Sequence, residues 1–268
     1  MKKIFLQDTC FLHCIYSNNP LPPIQFSKDI EWDRSKNFTE DDFVVYTDRN
    51  IPFARDNKNK NIAWLIEPEF LQPEMYRYVK ENYFKFNKIF TSDKSLLLLE
   101  NSILIPYGGC WVTEKEHLIY PKNKLVSIIA SGKKELPGHR LRHEIIHNLK
   151  DSISVFGNGY NPIKNKIQGL KDYMFHIVVE NVKKDFWFTE KLIDCLVTGC
   201  VPIYHGCPSI HEFFNPEGFI TFDSLHELKL SIDKLNLNLY NSKKDAIEEN
   251  FVKAKEYLLA EKSVSKYF

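Results

Sequence analysis

The chain has 268 residues, 43% of them hydrophobic and 26% charged, with a formal net charge of +1. That is room for one large globular domain or two ordinary ones, with a composition unlike that of disordered or fibrous chains. The near-zero charge argues against a nucleic-acid binder, whose basic face would show in the total, and no window approaches a membrane span. Met1 to Leu6 starts with basic and apolar residues, but the apolar run breaks at Gln7-Asp8. No signal peptide is read there, and a soluble cytoplasmic protein is expected. Lys3 to Leu6 is a first strand candidate. Cys10 and Cys14 lie four apart with no matching Cys/His pair close by, so no zinc site is expected; the six scattered cysteines read as reduced thiols. Residues 17–42 hold Pro20, Pro22 and Pro23 and read as loop. Strands are expected at Phe43–Tyr46 and Asn61–Ile66, a helix from Pro73 to about Tyr83, and a strand at Lys88–Phe90. Thr91-Ser-Asp93 reads as the cap of a Leu-rich helix through Asn101, followed by a strand at Ile103–Ile105.

A second alternation follows. The polar stretch near 113–124 is the expected boundary between an N-terminal domain (1–120) and a second domain (121–242). Strand Leu125–Ala130, helix Pro137–Leu149 and strand Ser152–Phe156 lead to a possible short helix over 163–172. Then comes the most informative stretch. Phe175–Val179 is a short β-branched run suited to a strand buried on both faces. Thr189 caps a helix that carries Glu190 in its first turn and ends at Gly199, and Val201–Tyr204 is the next strand. Helices at 208–214, 224–235 and 245–259 and a strand at 219–222 complete the order. Alternating strands and helices imply parallel sheets with covered faces. The expected fold is α/β, two Rossmann-like halves facing across a cleft, with 243–268 either packing back on the first domain or forming a dimer contact.

Chemistry is concentrated in the second half. The chain has only six arginines, and two of them, Arg140 and Arg142, share the tripeptide Arg-Leu-Arg near a helix start. A lysine-preferring chain that places arginines there points to a planar, bidentate phosphate donor, although a solvated helix face would show the same pattern. Glu190 and Lys191 follow a buried parallel strand at its carboxyl end, where open α/β sheets bind ligands. Lys191 could meet phosphate and Glu190 sugar hydroxyls, with ordinary helix-surface roles as the alternative. Phe186 and Trp187 could stack on a base or simply pack at the core rim.

Val179-Glu-Asn181, Phe188-Thr-Glu-Lys191 and Gly199-Cys-Val-Pro-Ile-Tyr-His-Gly206 together resemble the signature of glycosyltransferase family 10, the α1,3/1,4-fucosyltransferases. Cys207-Pro-Ser-Ile, Phe214-Asn-Pro-Glu-Gly-Phe-Ile and the upstream Lys164-Asn-Lys resemble the bacterial members. The resemblance covers about 125–235; Val179 stands where the family has Phe, and Trp187-Phe188 stands for Tyr-Val. It implies a GT-B architecture and an inverting sugar transfer from GDP-fucose to a hydroxyl of an oligosaccharide or glycan. It also implies Arg142 and Lys191 on the diphosphate, Glu190 on donor hydroxyls, Asn181 as a polar donor contact and Trp187 near the base. Single displacement needs a general base. Glu67, at the end of the strand to Ile66, resembles the family's strand-end Glu, with Glu69 as the second candidate. No Asp-x-Asp pair stands in a clear loop, so neither cofactor nor metal is expected; Arg142, Lys191 and helix N-termini would carry the diphosphate charge. A different nucleotide-sugar donor and a non-catalytic glycan- or nucleotide-binding module are the alternatives.

Overall fold

The computed structural model describes residues 2–8 and 30–268; Cys10, Cys14 and the prolines at 20, 22 and 23 lie outside the described residues. The chain forms two compact units. The first comprises the described part of Met1–Gly109 with Asp185–Trp187 and Leu259–Phe268; the second comprises Cys110–Lys184 and Phe188–Leu258. The units thus change hands at Gly109 and Leu258, where the sequence suggested 120 and 242. The reason lies in hydrogen bonds. Asp194 accepts from the backbone N–H groups of Trp111 and Val112, and Leu118 N–H donates to Val197 O, so 110–120 is tied to the second unit.

Among its described residues the first unit holds β1 (Lys2–Gln7), β2 (Ile30–Asp33), β3 (Phe43–Thr47), β4 (Asn61–Trp64), α1 (Pro73–Asn82), β5 (Lys88–Thr91) and β6 (Ser102–Leu104). They form one parallel sheet in the order β2-β1-β3-β4-β5-β6. β2 lies within the stretch read as loop; its alternation is only three residues long, with Ile30 and Trp32 buried and Glu31 exposed. The Leu-rich helix is not there. Asp93 closes a tight turn on Ser95 and Leu96 instead, and only one helical turn, Leu96–Leu98, follows. Leu96 is buried while Leu98 is 86% exposed, so the leucine run has no helical apolar stripe to bury.

The second unit holds β7 (Lys124–Ile129), α2 (Pro137–Leu149), β8 (Ser154–Phe156), β9 (Tyr173–Val179), α3 (Glu190–Leu196), β10 (Val201–His205), β11 (Ile220–Thr221), α4 (Leu225–Ile232), α5 (Leu237–Asn241) and α6 (Lys244–Ala254). Its parallel sheet runs β11-β10-β9-β7-β8, with Ile128 beside Ile177 and Ile177 beside Ile203. Those three isoleucines are at most 1% exposed, as a sheet covered on both faces requires. The helices expected at 163–172 and 208–214 reduce to single turns, Lys166–Gly169 and Ile210–Glu212. The helix expected over 245–259 ends at Ala254, where Tyr257 turns in against Phe188 and Phe214. The chain then returns to the first unit as α7 (Ala260–Ser265), whose Ala260 and Val264 lie in that unit's core. Among the described residues no helix is long and apolar enough to cross a membrane.

Candidate functional site

In the second unit the chain leaves β7 toward β8 on one side and returns to β9 on the other. The sheet order therefore has its topological switch between β7 and β9, where open α/β sheets form their ligand crevice. A pocket of about 300 Å³ opens there. Ile129 ends β7 in its wall, Val179 ends β9 with Asn181 two residues beyond, and α2 and α3 contribute Arg142, Glu190, Lys191 and Asp194. The strand–loop–helix order read from 175–206 thus places four of the expected residues, Arg142, Asn181, Glu190 and Lys191, around one cavity.

Why these side chains meet follows from local structure. α2 begins against the end of β9: Gly138 N–H donates to Asn181 O at 2.9 Å, and a Cβ on Gly138 would stand 1.8 Å from Glu180 O. Only glycine allows that approach, and it brings Arg142, one turn on, beside Asn181. Arg142 Nη2 donates to Asn181 Oδ1 at 2.6 Å. Arg142 is 6% exposed, and its Nε meets no acceptor among the described residues. Burial lowers its pKa, against the opposing pull of Glu180 and Glu190. An arginine this buried, with a donor to spare, is suited to an anion that the protein itself does not supply.

Opposite it, α3 is fastened to β9 through Glu180. This buried carboxylate accepts from Thr189 N–H at 2.9 Å and from the Thr189 hydroxyl at 2.7 Å, and Thr189 in turn caps the helix by accepting from Lys191 N–H. Lys191 Nζ lies 3.1 Å from Glu190 Oε1 and 3.8 Å from Glu180 Oε2. Burial alone would raise the Glu190 pKa, but Lys191 and Lys166 on either side hold it down at about 2. Glu190 is therefore ionised throughout the physiological range and remains a hydrogen-bond acceptor only.

Lys166, Asp194 and Trp111 belong to the same pocket and received no role from the sequence. Lys166 Nζ sits 2.7 Å from Asp194 Oδ2, 3.6 Å from Glu190 Oε1 and 4.5 Å from the centre of the Trp111 ring. Asp194 thus binds Lys166 with one oxygen and the Trp111–Val112 backbone with the other. Trp111 is 47% exposed. His176, on β9, completes the floor. The Ser127 hydroxyl donates to Gly169 O at 2.6 Å, so His176 Nδ1–H donates to Ser127 Oγ at 2.8 Å. Burial, with Lys166 and Lys122 nearby, pushes the His176 pKa down to about 3 and keeps the ring neutral.

Five of the residues singled out in the sequence are not part of this lining. Arg140 is exposed and turns its Nη1 to Glu135 O at 3.0 Å, outside the pocket lining. Trp187 is 3% exposed in the first unit, where its Nε1–H donates to Ile66 O at 3.1 Å. Phe186, also of the first unit, has positive φ and carries Lys94 over its ring. Glu67 follows β4, and Glu69 forms an exposed pair with Lys80 at 3.5 Å.

The chain is similar to a crystal structure of an α1,3-fucosyltransferase with GDP-fucose, at 16% identity over 96% of this chain and 90% of that one, with a TM-score of 0.56. It is similar also to the crystal structure of TarM, at 14% identity over 85% and 54% of the chains, with a TM-score of 0.52. The fold is that of the GT-B glycosyltransferases. Residues 119–263 match glycosyltransferase family 10 (fucosyltransferase), C-terminal part, and the chain belongs to that family. The α-(1,3)-fucosyltransferase FucT of Helicobacter pylori is 35% identical over 119 residues, 42% of this chain and 24% of that protein. An α-(1,4)-fucosyltransferase of Arabidopsis thaliana is 33% identical over 69 residues, 25% and 17% of the two. The matches span a quarter or less of the length of these two curated relatives.

Proposed function

We propose that the chain is an inverting glycosyltransferase that moves a sugar, with L-fucose from GDP-fucose as the best-fitting donor, onto a hydroxyl of an oligosaccharide or glycan. The observation that carries this reading is the switch-point pocket itself: a buried arginine whose Nε–H meets no acceptor among the described residues, a lysine, and a carboxylate held ionised between two lysines. Arg142 and Lys191 suit the two phosphates of a nucleoside diphosphate, and Glu190 suits sugar hydroxyls, which donate to it. Family membership supports the transfer, and the GDP-fucose of the similar fucosyltransferase structure supports the donor. Trp111 offers an aromatic face at the pocket; Trp187, with its indole N–H engaged on Ile66, is better read as structural.

In this mechanism the acceptor oxygen attacks the anomeric carbon as the bond to the diphosphate breaks. The acceptor proton passes to Glu67, and the nucleoside diphosphate leaves with its charge met by Arg142 and Lys191. No metal or other cofactor is needed for that charge balance, so transfer should persist in EDTA. Loss of turnover that Mg²⁺ or Mn²⁺ restores would refute the metal-free reading.

The direct test is a thermal-shift panel of GDP-fucose, GDP-mannose and UDP-sugars, followed by a transfer assay. A ligand that binds the native state raises the midpoint. GDP-fucose should raise it most, and Arg142→Ala should abolish the shift while the protein stays folded. A larger response to a UDP-sugar would reassign the donor. Glu67→Gln should keep the shift and lose transfer; transfer that survives places the base elsewhere.

A further inference from the structure

The first unit has its own switch point. The chain passes from β1 to β2 on one side and then to β3 on the other, so the crevice position lies between the carboxyl ends of β1 and β3. Asp48 stands there, directly after β3. Its φ is +44°, in the left-handed region that few residues other than glycine, asparagine and aspartate enter. It is 1% exposed. Its Oδ1 accepts from Ile66 N–H at 2.9 Å and from Glu67 N–H at 3.2 Å. Its Oδ2 is equally buried and meets no hydrogen-bond partner among the described residues.

Two more side chains close on the same turn. Trp187 Nε1–H donates to Ile66 O, and the Tyr76 hydroxyl donates to Glu67 O at 2.8 Å. All four backbone polar groups of Ile66 and Glu67 are therefore held by three side chains, those of Asp48, Tyr76 and Trp187. An ordinary strand-end turn needs nothing of the kind, because water satisfies it. Pro68 then fixes the exit of the chain.

We propose that Asp48 is a positioning residue for Glu67: through Oδ1 it fixes the Ile66–Glu67 peptide, with Trp187 and Tyr76 completing the hold, so that the Glu67 carboxylate leaves β4 in one geometry. This rests on the reading of Glu67 as the base. Burial, with the neighbouring carboxylates of Glu67 and Asp8, keeps Asp48 protonated at neutral pH, its pKa pushed up to about 8. A neutral carboxyl holds the turn without setting a second full charge beside Glu67. The role also gives Trp187, in the middle of the donor motif, a task in the first unit.

The test compares Asp48→Asn, which keeps an acceptor and tolerates the positive φ, with Asp48→Gly, which accepts that φ and deletes the acceptor. Asp48→Gly should lower kcat by about 10²-fold, the scale of a misplacement of about 1 Å, with GDP-fucose KM and thermal shift unchanged. Asp48→Asn should stay within a few-fold of wild type. Amide hydrogen exchange, which needs no activity, should show lost protection at Ile66–Glu67 in Asp48→Gly and retained protection in Asp48→Asn. Wild-type kcat in Asp48→Gly, or unchanged protection there, overturns the proposal. So does an inactive Asp48→Asn beside an active Glu67→Gln, which would make Asp48 the base itself. If wild type releases no GDP from GDP-fucose with any oligosaccharide acceptor, the reading of Glu67 fails and the proposal with it; the exchange data then still report whether Asp48 holds the turn.

Discussion

Two buried ionisable side chains should leave opposite signatures on stability against pH. His176 has a folded pKa of about 3 against about 6.5 unfolded. Between those values the unfolded chain binds a proton that the native state refuses, so the native state loses stability as pH falls from 6.5 toward 3 and regains it above. Asp48 runs the other way. Its folded pKa is about 8 against about 3.8 unfolded, so the native state holds the extra proton, and stability falls as pH rises through that window. Each slope is at most roughly 1.4 kcal/mol per pH unit. Denaturant unfolding of His176→Gln across pH 4–7 should give a curve flatter than wild type, and Asp48→Asn should remove the decline between pH 5 and 8. Parallel curves for variant and wild type would mean that these groups titrate alike folded and unfolded. Arg142, Glu190 and Lys191 were legible because their neighbours in sequence form a motif. Asp194 and Lys166 were not: Asp194 earns its place through partners 28 and 82 or 83 residues away. Asp48 was invisible for a different reason, since neither its positive φ nor an Oδ2 with no hydrogen-bond partner among the described residues leaves a mark in a sequence.

At the scale of elements, the pocket depends on how near α2 starts to the end of β9. Gly138→Ala would put a methyl into Glu180 O and drive the helix start outward. Overpacking of that kind costs about 1–3 kcal/mol. Because Arg142 and Asn181 share this contact, the midpoint and the affinity for GDP-fucose should fall together; calorimetric titration that finds wild-type affinity in a destabilised Gly138→Ala would uncouple them. Elements with a cap, a clear period and a stop were readable from the residues alone: α1 starts at Pro73, and α3 has Thr189 before it and Gly199, at φ +72°, after it. The errors fall where tertiary demand decides. β6 begins at Ser102, leaving ten residues to return from β5, and one turn with extended chain makes that journey. β2 has four residues and no run long enough to show period two. The turns at 166–169 and 210–212 have apolar residues in helical spacing, but the segments spend them on contacts made by single side chains such as Ile167 and Ile210 in the core.

Across the whole molecule, the two units close their cores differently. Among the described residues, the core clusters of the second unit are built from Cys110–Lys184 and Phe188–Leu258. The first takes its last core residues from the far end of the described chain: Ala260 and Val264 are at most 2% exposed, and Phe268 packs edge-on to Trp32, Phe43 and Phe90 at ring separations of 5.8, 6.0 and 6.3 Å. Lys88 Nζ donates to Tyr267 O at 3.0 Å across the same seam. A chain ending at Leu258 would uncover this apolar face at a cost on the order of 3–5 kcal/mol, counting one buried valine and one packed phenylalanine. The loss should fall on one unit alone, so scanning calorimetry of the shortened chain should resolve an early transition that GDP-fucose does not move and a later one that it does. A single transition, shifted as a whole and still raised by GDP-fucose, would show that the two units unfold as one cooperative body.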